Sequence, residues 1–188
     1  MFSEFYVIRL KEINDKMLYE DVLNEDDMGF LYKCLHSDTQ KVVHGAAILL
    51  TEFDKHTIQP ILDNFDTFNR DQQKTIVPML MACDFMEPYK FLLDYLKTED
   101  NEEFALFLVI CLANTDYFLF PLILYRLDTE DLQYKDRLKN ILQRIGFSVL
   151  EKYFVLLPEL VYEDDFRDIF GNEKITALKK FITEQKIN

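Results

Sequence analysis

The order of apolar and polar residues predicts a chain built from helices. Its most apolar stretch, residues 100–130, contains two helical runs, Phe104–Ala113 and Tyr117–Leu127, separated by a polar break at 114–116. A helix that is apolar nearly all round has to be buried on both sides. This pair of helices therefore requires one neighbour before it in the chain and one after it.

A shift of 31 residues identifies those neighbours. Asp38, Asn69, Asp100 and Asp131 follow one another at this interval. Asp and Asn are preferred helix N-caps, because a short side-chain oxygen accepts a hydrogen bond from a free N–H of the first turn. Each of the four is expected to begin the first helix of a pair, termed an A helix below.

The second helix of each pair, termed a B helix, repeats at nearly the same interval. Its apolar triplets are Phe30, Leu31 and Cys34; Ile61, Leu62 and Phe65; Leu92, Leu93 and Leu96; Ile123, Leu124 and Leu127; and Tyr153, Phe154 and Leu157. An internal period of this length is typical of solenoids, in which each repeat packs on its neighbours.

The paired helices, the period and Pro78 within an A helix resemble HEAT or armadillo-type repeats over residues 28–158. HEAT repeats tend to carry an Asp in the turn within a pair, and Asp54, Asp84 and Asp116 stand there. The resemblance implies an all-α fold: a short right-handed α-solenoid of about five antiparallel helix pairs. It also implies a protein-binding role.

One domain is expected for residues 1–188, with an atypical N-terminal cap at 1–27, the repeats at 28–158 and a C-terminal cap at 159–188. Terminal repeats usually differ from the others, because one of their faces meets water. The predicted helices cover 3–18, 28–36, 39–53, 57–66, 70–83, 88–96, 104–113, 117–127, 131–145, 149–157, 162–170 and 173–185.

Glycine and proline refine these predictions. Gly45 should allow a close approach to a neighbouring helix, and Pro60 should lie near the start of its B helix, where its missing N–H costs nothing. Gly146 is expected to end an A helix, as glycine does at the C′ position. Gly171 should separate the last two helices. The acidic segment 19–27 is predicted to be a loop.

Charge limits the partners. Lys and Arg number 21 against 34 Asp and Glu, which gives a net charge of −13. Such a chain repels phosphate backbones and anionic lipid, so nucleic acid and membrane surfaces are disfavoured and a basic protein partner is favoured. Phe104–Tyr125 is long enough to span a bilayer. Its central polar break and Pro121 argue against that reading.

The cysteines and the first residues indicate the cytoplasm. Cys34, Cys83 and Cys111 are odd in number and form no CxxC pair, as expected in a reducing compartment. No basic segment precedes an apolar one at the start, so no signal peptide is predicted. The oligomeric state is left open.

No motif for catalysis, a cofactor or a metal is present. Cys34, His36 and His44 lack the tight spacing of zinc ligands. If the chain were an enzyme, for instance a solenoid lyase or glycosylase, carboxylates would be the first suspects. Those suspects are Glu87, Asp94 and Asp116.

Two candidate binding surfaces follow from the repeats. The B-helix face comprises Gln59, Asp63, Asn64, Lys90, Asp94, Tyr95, Tyr125 and Arg126. The acidic rim, where B helices lead into the next helix, comprises Glu99, Asp100, Glu102, Glu103, Asp128, Glu130, Asp131, Glu163, Asp164 and Asp165. The leading hypothesis is a protein-interaction scaffold. The alternatives are an immunity-type inhibitor of a basic toxin or nuclease, and a solenoid enzyme.

Overall fold

The computed structural model describes residues 2–19, 23–52, 55–114 and 119–185. Within these ranges the chain forms α-helices and short 3-10 helices and no β-strand, which confirms the all-α prediction. The α-helices are α1 (Phe2–Leu18), α2 (Glu25–Leu35), α3 (Gln40–Leu50), α4 (Lys55–Asp63), α5 (Arg70–Met81), α6 (Glu87–Thr98), α7 (Glu102–Ala113), α8 (Phe120–Arg126), α9 (Leu132–Arg144), α10 (Phe147–Leu156) and α11 (Asp164–Gln185). The 3-10 helices are Phe65–Thr67 and Pro158–Tyr162.

The chain divides into two compact units, Met1–Leu92 and Leu93–Asn188, and the division falls within α6. In both, buried aliphatic and aromatic side chains from several helices form the core.

In the first unit α3 is the central helix, since it packs against α1, α2 and α5. Val43, Ala46 and Leu50 of α3 are fully buried or nearly so. A Cβ placed on Gly45 would lie 3.1 Å from Cδ1 of Leu10, which belongs to α1. The prediction that Gly45 permits a close helix approach is therefore confirmed.

The start of α2 differs from the prediction, because residues 25–27 are helical and not loop. The side chain of Asn24 accepts a hydrogen bond from the Asp27 amide at 2.9 Å, and the Asp27 carboxylate accepts one from the Asn24 amide at 3.5 Å. Asp27 is fully buried and forms ion pairs with Arg9 and Lys16 of α1. The acidic segment was predicted to be a loop because the two cations that pair with Asp27 belong to another helix and are not evident from the local sequence.

Two of the four predicted N-caps are confirmed. Asn69 accepts a hydrogen bond from the Gln72 amide at 3.0 Å, and Asp131 accepts one from the Tyr134 amide at 2.9 Å. These two bonds fix the first turns of α5 and α9.

The other two caps lie one residue further along the chain than predicted. Thr39, not Asp38, precedes α3 and makes no side-chain cap. Asn101, not Asp100, caps α7. The Glu99 carboxylate accepts a hydrogen bond from the Asn101 amide at 2.8 Å, which holds Asn101 at the cap position.

In the second unit α9 packs against α7, α8 and α11. An aromatic cluster joins α8, α10 and α11: the Phe120 ring lies 6.1 Å from Phe154 and 6.0 Å from Phe170, centroid to centroid. Gly171 has a φ of 77° and interrupts the helical conformation of α11. The predicted break at Gly171 is therefore confirmed.

The sequence predicted that α7, the most apolar helix, is buried on every side. This prediction is wrong for part of its surface. Phe104, Leu108 and Leu112 are buried, but Leu106 and Ile110 are 44% and 43% exposed. The exposed pair lies four residues apart and so occupies one stripe of the helix. No helix among the described residues is long and apolar enough to cross a bilayer.

Gly146 directly follows Ile145, the C-cap of α9, so the prediction that it ends this helix is confirmed. It is also the N-cap of α10, with a φ of −62°. The expectation for Pro60 is wrong. Pro60 lies inside α4, because this helix begins at Lys55 and not at Thr57.

Replacing Asp27 with Asn should lower the free energy of unfolding by roughly 3 kcal/mol, because Arg9 and Lys16 lose a buried partner. The Lys16 side chain and the Asn24 amide hold the Asp27 pKa below its ordinary value, against the effect of burial. Its contribution is therefore complete above the ordinary pKa of an aspartate and lost as the pH falls through the lowered one.

Urea unfolding measured across the acid range checks this, with Asp26→Asn, an exposed neighbour in the same turn, as the control. Equal stability of the two variants at neutral pH would show that the buried ion pairs are not formed.

Candidate functional site

A groove of about 420 Å³ lies in the second unit between the C-terminal half of α6, the end of α8 and the start of α9. The charged and aromatic side chains that line it are Asp94, Lys97, Tyr125, Arg126, Asp128 and Tyr134. Three of these residues, Asp94, Tyr125 and Arg126, belong to the predicted B-helix face.

Local structure sets the position of each side chain. Asp94 and Lys97 are three residues apart on α6 and therefore share one face of that helix. Arg126 is the last residue of α8. The cap formed by Asp131 places Tyr134 in the first turn of α9.

An ion pair crosses the groove. Nη2 of Arg126 lies 2.8 Å from Oδ1 of Asp94. The Arg126 side chain is only 18% exposed, whereas that of Asp94 is 68% exposed. The cation is thus held by the protein, while its partner carboxylate reaches into solvent.

Tyr134 contributes a hydroxyl that is buried but unsatisfied. The residue is 4% exposed, and among the described residues no acceptor is found for the proton of its hydroxyl; the Arg126 guanidinium, which interacts with it, can only donate. Burial raises the pKa of Tyr134 to about 12; the charge of Arg126 acts to lower this pKa and that of Asp94 to raise it. The hydroxyl therefore keeps its proton at neutral pH and remains a donor.

Tyr125 supplies the exposed aromatic surface, since it is 82% exposed beside the groove. Tyr95, another predicted member of the B-helix face, is half-buried, and its ring lies edge-on to Phe104 at 6.3 Å. An exposed tyrosine next to an arginine is typical of hot spots in protein interfaces.

The other predicted B-helix residues lie in the first unit. Nε2 of Gln59 donates to the Asp63 carboxylate at 2.8 Å, and Nδ2 of Asn64 donates to the Pro60 carbonyl at 2.8 Å. Lys90 is exposed. The described contacts of these amides lie within their own helix and the turn that follows it.

Part of the predicted acidic rim is engaged within the protein. Glu99 is 6% exposed, so it lies outside any exposed rim. The Glu102 carboxylate accepts hydrogen bonds from Arg137 at 2.8 Å and Gln133 at 2.9 Å. Asp131 serves as the cap of α9.

The remaining rim residues differ in their surroundings. Asp128 lines the groove, while Asp100, Glu103, Glu130 and Glu163 are exposed. The side chains of Asp164 and Asp165 lie outside the described residues.

Arg137 joins two of the three helices around the groove, α6 and α9, and also reaches α7. Its Nη1 donates to the carbonyl oxygens of Leu96 and Glu99 at 2.8 Å each, at the end of α6, while its Nη2 contacts Glu102 at the start of α7. Arg137 itself lies on α9 and is 8% exposed. One buried guanidinium thus connects α6, α7 and α9.

A second cavity, of about 460 Å³, lies in the first unit between α3 and α5. Ile48, Pro78 and Met79 give it apolar walls, and His44 and Lys74 add polar groups. It belongs to A helices, so it is not part of either surface that the sequence predicted.

The cysteines and the carboxylates suspected of catalysis were located among the described residues, which were also searched for metal ligands. No three His, Cys, Asp or Glu side chains among them are grouped as metal ligands would be. Burial raises the pKa of Cys34 to about 12 and those of Cys83 and Cys111 to about 11. Glu87 is exposed, and Asp116 lies outside the described residues.

The chain matches no protein-family model, no curated protein and no solved structure. The HEAT-like character of the sequence therefore rests on its repeat pattern.

Sequence reasoning missed Lys97, Tyr134 and Arg137. Lys97 was recognisable, because it follows Asp94 by three residues on a helix. Tyr134 was not recognisable, because its place on the apolar face of an A helix does not indicate an unsatisfied hydroxyl. Arg137 was not recognisable either, because its hydrogen-bond partners lie at least 35 residues away in the sequence.

Replacing Arg137 with Met should lower the free energy of unfolding by roughly 3 kcal/mol, because two buried carbonyls at the end of α6 lose their donor. Arg144→Met is the matched control on the same helix, since Arg144 is exposed and bonds only to Asn140 among the described contacts.

Denaturant unfolding of both variants measures the effect. A loss in Arg137→Met no larger than that in Arg144→Met would contradict the role of this guanidinium.

Proposed function

We propose that this protein is a non-catalytic interaction protein, a HEAT-like α-solenoid that binds a partner protein through its B-helix face. The observation that carries the proposal is the groove of the second unit. There an exposed Tyr125 adjoins a largely buried arginine whose own carboxylate partner is solvent-exposed. Tyr and Arg at the edge of a groove are the side chains that dominate most protein interfaces.

The spacing of the A helices supports the solenoid. They begin at Gln40, Arg70, Glu102 and Leu132, at intervals of 30, 32 and 30 residues. Within the first unit α3 packs on α5, and within the second α7 packs on α9. Packing of each A helix on the next is what a repeat of this period requires.

The net charge of −13 favours a second candidate, an immunity-type inhibitor that masks a basic partner such as a nuclease toxin. Asp100, Glu130 and Glu163 are exposed members of the acidic rim available for such a contact. Complementary charge of this kind raises association rates and makes binding depend on salt.

Tyr125→Ala and Arg126→Ala should each weaken partner binding about tenfold or more, equivalent to about 1.4 kcal/mol. The partner is first isolated from native lysate with the intact chain, and its affinity for each variant is then measured by calorimetry. Tyr19→Ala is the matched control, because Tyr19 is 81% exposed and Tyr125 is 82% exposed.

Unchanged thermal unfolding of the variants shows that the loss is one of binding. If both variants retain full affinity, or Tyr19→Ala loses as much, the groove is not the binding site.

The two candidates differ in their response to salt. A complex formed through the acidic rim should weaken at least tenfold between about 0.05 and about 0.5 M salt, since exposed charges are screened within about 5 Å at the higher value. A complex formed through the groove should weaken less, because Arg126 is largely buried. Dissociation constants measured across this range decide between them, and an unchanged constant rules out the rim.

A further inference from the structure

The groove around Arg126 has more hydrogen-bond donors than its own residues satisfy. Arginine has five N–H donors and no acceptor, so contact with Arg126 cannot satisfy the proton of the Tyr134 hydroxyl. That hydroxyl has no acceptor among the described residues, although Tyr134 is 96% buried. Lys97 adds a third donor to the lining. A buried donor without an acceptor destabilises the free protein, and a ligand that supplies the acceptor relieves that cost.

The ion pair in the groove allows its carboxylate, that of Asp94, to be replaced by another. Asp94 is 68% exposed, so its pairing with Arg126 competes with hydration and contributes little. Arg126 is 18% exposed and cannot follow Asp94 into solvent. A carboxylate from outside can therefore take the place of Asp94 at the guanidinium while Asp94 turns to water.

We propose that the groove binds a carboxylate of the partner protein, which displaces Asp94 from Arg126 and accepts a hydrogen bond from the Tyr134 hydroxyl. This inference rests on the proposed function, because it specifies the partner chemistry of the same groove. Planar guanidinium groups match carboxylates with two parallel hydrogen bonds, a contact stronger than one between neutral groups.

Local charge permits this even though the whole chain is acidic. The lining contains two cations, Lys97 and Arg126, and two anions, Asp94 and Asp128. Once Asp94 has turned away, the cations outnumber the anion that remains. The carboxylate comes either from an acidic side chain or from the C-terminus of the partner, and both present the same group to Arg126.

The test titrates four small probes into the full chain. Binding is measured from the NMR signals of the Arg126 side chain and of Tyr134. N-acetylglutamate N-methylamide carries a side-chain carboxylate and N-acetylalanine a terminal one. N-acetylglutamine N-methylamide and N-acetylalanine N-methylamide are their uncharged counterparts. At least one carboxylate should bind and shift these signals, at least tenfold more tightly than its amide, and the better of the two identifies the source.

Three variants complete the design. Asp94→Asn should tighten carboxylate binding about threefold or more, because it removes the internal competitor. Asp66→Asn removes the same unit of charge at an exposed position of the first unit that belongs to neither candidate surface, and it should have no effect. Arg126→Gln should abolish binding. Tyr134→Phe should weaken it several-fold while the fold is kept, as checked by thermal unfolding.

The inference is overturned if neither carboxylate shifts the Arg126 and Tyr134 signals, if the amides bind equally well, or if Asp94→Asn weakens binding. Failure here is distinguishable from failure of the proposed function. If the native partner still requires Tyr125 and Arg126 while carboxylates do not bind, the groove is a protein-binding site with a different chemistry.

Discussion

The structure depends on one constraint: within each unit, the apolar surface of a helix has to be covered by neighbouring helices. In the first unit α3 is covered by α1 and α5, and in the second unit α9 covers α7. Gly45 shows how close this packing is, since an added Cβ would meet Leu10 at 3.1 Å. Polar side chains then secure the ends of the helices that packing has brought together.

Two buried charged residues, Asp27 and Arg137, stabilise the ends of helices. Asp27 receives Arg9 and Lys16 from α1 while it completes the cap of α2. Arg137 reaches from α9 to the carbonyls that end α6 and to Glu102 at the start of α7. Both charged groups are buried and paired with groups from other helices, so breaking either set leaves an unpaired buried charge. The contacts of Arg137 also connect α6 with α9, two of the three helices that surround the groove.

The helices could be predicted from the sequence because their signals are local. Asn69 and Asp131 cap the helices that their spacing indicated, and Gly171 interrupts the last helix. Errors arose where a distant partner decides the outcome. The capping box at Asn24 was hidden in an acidic run, and the exposed stripe of α7 could not be distinguished from its buried one by composition.

The groove was half predictable for the same reason. Tyr125 and Arg126 stood out as exposed B-helix residues of the types found in interfaces. Their pairing with Asp94, 32 residues earlier, depends on the packing of the second unit. The Tyr134 hydroxyl is unsatisfied because it is buried, and its burial cannot be recognised from the local sequence pattern. A groove made by packing is thus visible only after the helices are placed in space.

Packing of each A helix on the next is tested most directly by nuclear Overhauser effects between methyl groups in a protein labelled at Ala, Ile, Leu and Val. The account predicts cross-peaks between methyl groups of α3 and α5, and between those of α7 and α9. If cross-peaks are confined to methyl groups within single helices or between a helix and its immediate chain neighbour, the A helices do not cover one another and the account is contradicted.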